Sequence, residues 1–427
     1  MKKKYIIFSI VTLVLYVSLV TYFNSFKTTN TYVEDNSNNQ TKITKGISMN
    51  LEQTAGAGDY KTVTQSSWPT EGYTFNTELS RCENGSTLSW DDTKKAVIMQ
   101  GNVSDKCYVY FDLARFDETC DASTLACHIA KLYTETQEGN GVYYHNSSLE
   151  NGAGDNSYRY AGANPNNFVC FGTNESPCPT DSLYRIIGVF GEYYHGVNGK
   201  QLVKLIKYDY AKSSLLGTDG DYGGSANPDV SYYKGSLTSI NSYFWDNVTM
   251  ENIWSESNLN KINLNTNFIN NIGTAWANKI ATTTWKVGGV SSTYNVSLTP
   301  AIAYQYEVGS SASTTTYEAK IGLMYASDYG FAADPSTWTT TLYNYSGSIN
   351  GSTISSQNWM YMGYDEWTIS REARGLYDVI FVGHGGGVSI HAAGGDDSYG
   401  VRVSFSLESS VSYVSGSGSK SDPIIIN

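Results

Sequence analysis

The residues that could support chemistry are concentrated between positions 366 and 407. The stretch contains two histidines and two adjacent aspartates, His384, His391, Asp396 and Asp397. Imidazole and carboxylate groups that converge on one loop tip could transfer protons or hold a metal ion. We favour the simpler interpretation that these four side chains are exposed loop residues. Together with three neighbours they form our candidate ligand-binding set: Arg371, Tyr377, His384, His391, Asp396, Asp397 and Tyr399.

A glycine-rich run at 383–387, Gly-His-Gly-Gly-Gly, resembles the oxyanion loop of esterases. In those enzymes the loop precedes a G-x-S-x-G nucleophile turn. The later candidate here, around Ser417, lies in a polar tail without a strand–turn–helix pattern. A tight turn between the strands YDVIFVG and GVSIHA explains the glycines more simply. We therefore predict no catalytic residue, no cofactor and no metal ligand.

Two arginines, Arg371 and Arg402, flank this region on strands that we expect to be neighbours. They could bind an acidic ligand. They could also form structural ion pairs with Glu366 or Asp378, and we favour that alternative.

The elements that must position these residues form a large mixed domain. A Trp-Thr-Ile-Ser-Arg strand at 367–371 and a Gly-Val-Arg-Val strand at 400–403 should close its sheet. Short β-rich runs upstream predict further strands at 157–162, 167–172, 183–191 and 202–210. Apolar residues at helical spacing within 254–280 predict two short helices packed on the sheet. The sequence therefore predicts an α+β head domain over 142–427.

The amino-acid composition excludes some classes of function and favours others. The chain has 427 residues, a formal net charge of -12 and only 16% charged residues. Nucleic-acid binding depends on Lys and Arg against phosphates, so we exclude a DNA or RNA partner. The 35 tyrosines, with many Ser, Asn and Gly, are typical of β-rich exported proteins. The same residue types provide rigid aromatic area and adaptable hydrogen bonds on recognition surfaces.

The amino terminus indicates the compartment. Lys2, Lys3 and Lys4 precede an uncharged apolar run at 5–23, long enough to cross a bilayer as a helix. We expect 1–23 to be a single-pass membrane anchor with the carboxyl-terminal bulk outside the cell. The alternative is a cleaved signal peptide, which would give a secreted protein. Residues 24–66 are polar and without apolar periodicity, which predicts a flexible stalk.

The cysteines agree with an oxidising location. An even count of six in an exported chain indicates disulfides, and local pairing gives Cys82–Cys107, Cys120–Cys127 and Cys170–Cys178. The Cys120–Cys127 pair requires Cys120 to lie in the turn before a helix, since seven helical residues separate the two sulfurs too far. Four short strands predict a small disulfide-bonded all-β module over 67–115, and a helical connector should follow over 116–141.

From residue 167 onward, the order of the segments resembles a known family. The matching pieces are FVCFG, LYRIIGVF, LVKLIK, WSESNLNKINLNTNFI, KIGLMYASDYGF, EWTISR and GVRVSFSL. The family is a widespread, uncharacterised domain of exported bacterial proteins, many of them Gram-positive surface proteins. Trp254, Trp367 and Arg402 stand at positions of its pattern, while Val403 stands where proline is usual. The resemblance covers about 60% of the chain.

This resemblance implies a fold similar to the C-type lectins and the formylglycine-generating enzymes. Those enzymes depend on a late cysteine pair, and this chain has no cysteine after Cys178, so their activity is not expected. The Glu-Pro-Asn, Gln-Pro-Asp and Trp-Asn-Asp signatures of calcium-dependent lectins are also missing from the sequence.

The sequence therefore predicts a non-catalytic cell-surface recognition or adhesion protein. Its lectin-like head would bind a glycan or a surface protein through the loops at 371–400 and 339–357. Two alternatives stay open. One is an enzyme acting on cell wall or glycan, which requires two carboxylates facing one cleft. The other is a purely structural envelope protein.

Overall fold

The computed structural model describes residues 46–427 except 54, 65–66, 70–71, 103, 135–140, 192–199, 291–297, 347 and 350–351. The chain divides into two compact units, Met1–Arg115 and Phe116–Asn427.

The first unit is a small β-sheet with a disulfide at one side. Its strands are β1 Ile47–Glu52, β2 Tyr60–Val63, β3 Tyr73–Phe75, β4 Arg81–Cys82, β5 Thr87–Asp91, β6 Ala96–Gln100 and β7 Cys107–Leu113. The sheet has the order β2-β1-β7-β3, with β4 also on β7 and β5–β6 as a separate hairpin. Alternate residues of β7 (Cys107, Val109 and Phe111) are buried, as expected for a strand with one face on the core. Cys82 and Cys107 are directly opposite one another and form a disulfide.

The stalk prediction is wrong for part of 24–66. Strands β1 and β2 lie inside this range, and β1 pairs in parallel with β7, Met49 opposite Val109. Met49 and Leu51 are buried in the core of the unit. A contact across about sixty residues orders this segment, and such a partner is not visible in local composition. The remaining stalk residues up to 45 lie outside the described ones.

The second unit mixes strands and helices, so the α+β prediction is confirmed at this level. Its strands are β8 Val142–Tyr144, β9 Tyr158–Tyr160, β10 Phe168–Cys170, β11 Leu183–Phe190, β12 Leu202–Lys207, β13 Tyr222–Ala226, β14 Ile240–Tyr243, β15 Thr283–Lys286, β16 Thr316–Ala319, β17 Ile321–Gly322, β18 Ser348–Ile349, β19 Ser352–Thr353, β20 Glu366–Arg371, β21 Asp378–Val382, β22 Val388–Ala392, β23 Tyr399–Gly400, β24 Ser404–Ser406, β25 Tyr413–Ser415 and β26 Ile425–Ile426.

The helices of this unit are short. They are α1 Phe116–Thr119, α2 Leu125–Ala130, α3 Ser213–Leu216, α4 Leu259–Phe268, α5 Ile269–Asn271, α6 Thr274–Ala277, α7 Pro300–Glu307 and α8 Ala326–Phe331. Single 3-10 turns lie at Thr180–Ser182, Pro335–Thr337, Leu342–Ser346 and Ile354–Gln357. Helix α4 has π-type geometry and buries Leu259, Leu264 and Phe268. It occupies the region where the sequence predicts two short helices.

The main sheet has the order β17-β24-β12-β11-β9-β8, with β10 also on β11. Its central strands β11 and β12 are buried along their whole length. This burial explains why they are nearly continuous apolar runs, in place of an alternating pattern.

The second sheet has the order β13-β14-β23-β20-β21-β22 and carries the candidate region. Strands β21 and β22 form a hairpin, Val382 opposite Val388, around the glycine-rich turn that the sequence predicts. The predicted strand at 400–403 is only partly correct. Gly400 pairs in parallel with Glu366, and the chain then crosses to the main sheet, where it forms β24. Residues 401–403 make this crossing.

The predicted connector 116–141 belongs to the second unit as far as it is described. Leu125 and Ile129 of α2 lie in the unit's core, and Thr124 caps the helix by accepting a hydrogen bond from the Cys127 N–H. Cys120 lies in the turn between α1 and α2 and bonds Cys127. The third disulfide joins Cys170 and Cys178, so all three pairs are those expected from the sequence.

The amino-terminal prediction needs correction. Among the residues that the structure describes, no helix combines the length and apolarity needed to cross a membrane. This finding contradicts the predicted localisation as a single-pass membrane protein. The apolar run at 5–23 itself lies outside the described residues.

Candidate functional site

A cavity of about 430 Å³ opens at the turn of the β21–β22 hairpin. Three segments of the chain meet there. The 3-10 turn 342–346 provides Tyr343, the segment before β20 provides Asp365, and the hairpin with β23 provides the remaining walls. We call this space the His384 cavity. Its lining includes the side chains of Tyr343, Asp365, Phe381, His384, Ser389 and Tyr399.

The floor of the His384 cavity is aromatic. The ring centroid of Tyr399 lies 4.8 Å from that of Phe381 and 4.3 Å from that of Trp367. Trp367 is fully buried, and its indole N–H donates to the Tyr243 carbonyl at 2.7 Å. The buried Trp367 fixes the position of Tyr399. Burial raises the pKa of the Tyr399 phenol, so this side chain stays neutral. The floor is therefore a rigid, uncharged, half-exposed aromatic surface.

The rim of the cavity contains a histidine–aspartate pair. Asp365 Oδ1 accepts a hydrogen bond from the His384 backbone N–H at 2.7 Å and lies 3.2 Å from His384 Nδ1. Both side chains are partly exposed. The pairing of Glu366 with Val382 explains this geometry, since it brings the preceding Asp365 opposite Gly383. Sequence reasoning identified His384 and missed Asp365, although the strand register would have indicated it.

Three backbone N–H groups of the glycine-rich turn are not available to an oxyanion. The Gly383 N–H donates to the Gly387 carbonyl at 2.8 Å, and the Gly386 N–H donates to the Gly383 carbonyl at 2.8 Å. The His384 N–H is engaged by Asp365. Gly386 has a φ of 93°, and a Cβ there would lie 2.6 Å from Ser355 Cβ. Glycine is thus required by conformation and close packing, and these three donors are already used within the protein.

A second histidine–aspartate pair lies beyond the aromatic floor. His391 Nε2 is 2.9 Å from Asp397 Oδ2, and its ring centroid is 5.7 Å from that of Tyr399. The four residues that could have converged on one tip are therefore divided. His384 lines the cavity, His391 and Asp397 form a separate pair, and Asp396 is exposed in the loop after β22.

The other predicted residues lie elsewhere. Arg371, at the far end of β20, donates from Nε to the Val287 carbonyl and from Nη1 to Asn252 Oδ1, each at 2.9 Å. Partial burial lowers its pKa. Both of these partners are neutral, and neither Glu366 nor Asp378 forms an ion pair with it among the described residues. Tyr377 is 57% exposed and does not line the cavity.

No family model, curated protein or solved structure matches this chain. Across the part of the chain that the structure describes, no group of three or more His, Cys, Asp or Glu side chains is placed to hold a metal ion.

Several carboxylates of the second unit are buried in its interior. Glu307 and Asp328 are almost completely inaccessible to solvent, and neither lines the His384 cavity. Glu307 Oε2 accepts from the Ser327 N–H at 3.0 Å, and its other oxygen accepts from the Ser370 hydroxyl. Asp328 Oδ2 lies 2.6 Å from Lys204 Nζ. Burial raises the pKa of Glu307 to about 7. These groups are arranged to hold α7, α8 and β20 together and are not accessible to a substrate.

Proposed function

We propose that the second unit is a non-catalytic recognition domain that binds a glycan at the His384 cavity. The observation that carries this proposal is the fixed aromatic floor of Tyr399 and Phe381 beside hydrogen-bonding side chains. Aromatic rings offer a rigid apolar face at low entropic cost, and the C–H face of a sugar can pack on it. The imidazole of His384, the Asp365 carboxylate and the Ser389 hydroxyl would bond sugar hydroxyls.

The single carboxylate in the cavity favours binding over hydrolysis. Glycosidases generally use two carboxyl groups that flank the scissile bond at ~5 to 10 Å from one another. The lining residues of the His384 cavity include Asp365 and no other Asp or Glu. The cavity is also concave and partly polar, which suits a sugar better than a flat protein surface.

The proposal also includes a lectin-like fold and a location outside the cytoplasm. A head similar to the C-type lectins would present a hairpin and neighbouring loops as its recognition surface. Three disulfides in the described chain support an oxidising location outside the cytoplasm. The resemblance to domains of exported bacterial proteins also supports a location outside the cytoplasm.

A glycan array probed with the whole purified protein tests the proposal. Two exposed tyrosines make a matched pair of variants, because Tyr343 lines the cavity and Tyr377 does not. We expect Tyr343→Ala to weaken binding of the retained glycan by about fivefold, as loss of one aromatic contact would. Tyr399→Ala should weaken it further, and Tyr377→Ala should leave it unchanged.

Two outcomes would overturn the proposal. One is an array without any retained glycan. The other is a retained glycan whose affinity is the same in the wild type, Tyr343→Ala and Tyr399→Ala. Thermal melts of each variant would establish that a loss of binding is not a loss of folding.

A further inference from the structure

A second cavity, of about 470 Å³, lies in the same unit and shares no lining residue with the first. Its lining contains three basic side chains, Arg185, Lys234 and Lys420, and no Asp or Glu. The whole chain carries a formal net charge of -12, so the positive charge of this cavity is opposite in sign to that of the chain. We call it the Arg185 cavity.

Arg185 is buried among neutral hydrogen-bond partners. It is 5% exposed, and its guanidinium lies between the rings of Phe168 and Trp359, 4.4 Å and 4.6 Å from their centroids. Its hydrogen bonds go to neutral acceptors: Asn167 Oδ1 at 2.6 Å and the carbonyls of Trp359 and Pro165, each at 3.1 Å. Within the described residues, no carboxylate oxygen lies within 4 Å of the guanidinium nitrogens. A buried cation in this state is costly unless an anion approaches it.

The other buried arginines of the unit provide an internal comparison. Arg159 lies 2.7 Å from Asp155, and Arg402 lies 2.7 Å from Glu366. The pKa of each is raised despite burial, because of these carboxylates. Burial instead lowers the pKa of Arg185 to about 9. A carboxylate compensates the buried charge of Arg159 and of Arg402, whereas none among the described residues compensates that of Arg185.

Two lysines extend the positive charge toward solvent. Lys234 Nζ donates to the Ser355 carbonyl at 3.2 Å and lies 4.5 Å from the Tyr361 ring centroid. Lys420 Nζ donates to the Tyr208 hydroxyl at 3.0 Å. These partners are also neutral, and each ammonium has three N–H donors. Both lysines can therefore turn further donors toward a bound anion.

We propose that the Arg185 cavity binds the carboxylate of a small acidic sugar of the uronic acid class. The three cations would hold the carboxylate group. Asn164, Asn166 and Ser356 offer amides and a hydroxyl to the neutral hydroxyls of such a ring. The cavity has the size of a small-molecule site. This site is independent of the His384 cavity, so either assignment can fail without the other.

Titration calorimetry of the whole protein with glucuronate, glucose and inorganic phosphate tests this assignment. We expect glucuronate to bind, and its affinity to fall as sodium chloride is added. Lys234→Gln and Lys420→Gln remove exposed side chains and should not impair folding. Each should weaken glucuronate binding by about fivefold, and the double variant by more. Lys261→Gln is the matched control, because Lys261 is exposed and does not line the cavity.

A ligand-induced rise in melting temperature provides a second readout. Glucuronate should raise the melting temperature of the wild type and of Lys261→Gln, and should raise that of the double variant much less. The proposal is overturned if glucose binds as tightly as glucuronate, or if the double variant binds glucuronate like the wild type. Phosphate binding equal to that of glucuronate would overturn the sugar assignment and leave a general anion site.

Discussion

Arg402 and Glu366 form a buried two-point ion pair where the chain crosses from one sheet of the second unit to the other. Arg402 Nε lies 2.7 Å from Glu366 Oε1, and Nη2 lies 2.8 Å from Oε2. Arg402 Nη2 also donates to the Met360 carbonyl at 2.7 Å. Among the alternatives open from the sequence, the structural pair with Glu366 is the one that the structure contains. Arg402 is therefore not available to an external acid.

Breaking this pair should be costly. Arg402→Met leaves the Glu366 carboxylate buried without its partner, and we expect the free energy of unfolding to fall by about 3 to 5 kcal/mol. Denaturant titration of the purified variant measures the change. The double variant Arg402→Met with Glu366→Gln should recover part of the loss, because the uncompensated charge is gone. A loss below about 1 kcal/mol in the single variant would contradict the assignment.

Glu307 should make stability depend on pH. Its pKa is raised from 4.5 to about 7, chiefly by burial, so the folded state holds a proton that the unfolded state has released. Its contribution is fully present below about pH 4.5 and is lost as the pH rises through about 7. The loss is on the order of 3 kcal/mol. Unfolding free energies between these pH values, compared for the wild type and Glu307→Gln, should show a smaller decline in the variant. Parallel curves for the two proteins would rule this out.

Removing the Cys82–Cys107 disulfide of the first unit should lower the free energy of unfolding more than removing the Cys170–Cys178 disulfide. Removing Cys82–Cys107 by two alanine substitutions should cost about 2 to 4 kcal/mol, since the unit has a small core. Limited proteolysis should then cleave before residue 115 at protease concentrations that leave the wild type intact. The Cys170–Cys178 bridge closes a shorter loop, and its removal should cost about 1 kcal/mol less in the chain-entropy model. Unchanged cleavage would refute the prediction.

Asn252 should be a key residue for the loop between β20 and β21. Its buried amide nitrogen donates to the carbonyls of Glu372, Gly375 and Asp378, and its oxygen accepts from Arg371. Asn252→Ala should lower the free energy of unfolding by about 2 to 3 kcal/mol, because these partners lose their hydrogen bonds inside the protein. Asn278→Ala, at an exposed position, should change it by less than about 0.5 kcal/mol. Similar values for the two variants would argue against this role.

Local patterns predicted the local features of this fold. The glycine-rich turn between β21 and β22 follows from residues within the hairpin. The position of Cys120 off the helix follows from the geometry of a helix and a disulfide. The α+β composition of the second unit follows from apolar spacing. In each case, the interacting residues lie close together in the sequence.

Long-range partners explain what the sequence did not reveal. Strand β1 alternates Ile47, Met49 and Leu51 with polar residues, and this weak signal acquires meaning only through pairing with β7. The His384 cavity joins Tyr343, Asp365 and Tyr399 from separate segments. Arg185 sits in an apolar strand, where an arginine is usually assumed to be paired. That its partners among the described residues are all neutral becomes visible only in three dimensions.

The order of strands in the main sheet has a consequence for biogenesis. Its inner strand β24 comes from residues 404–406, yet it lies between β17 and β12, which are encoded far earlier. The final residues then pair with β10, since Ile424 exchanges backbone hydrogen bonds with Phe168 and Cys170. A chain that emerges from its amino end cannot complete this sheet until residue 424 is available. The second unit should therefore acquire its native structure after its synthesis is complete, as one cooperative event.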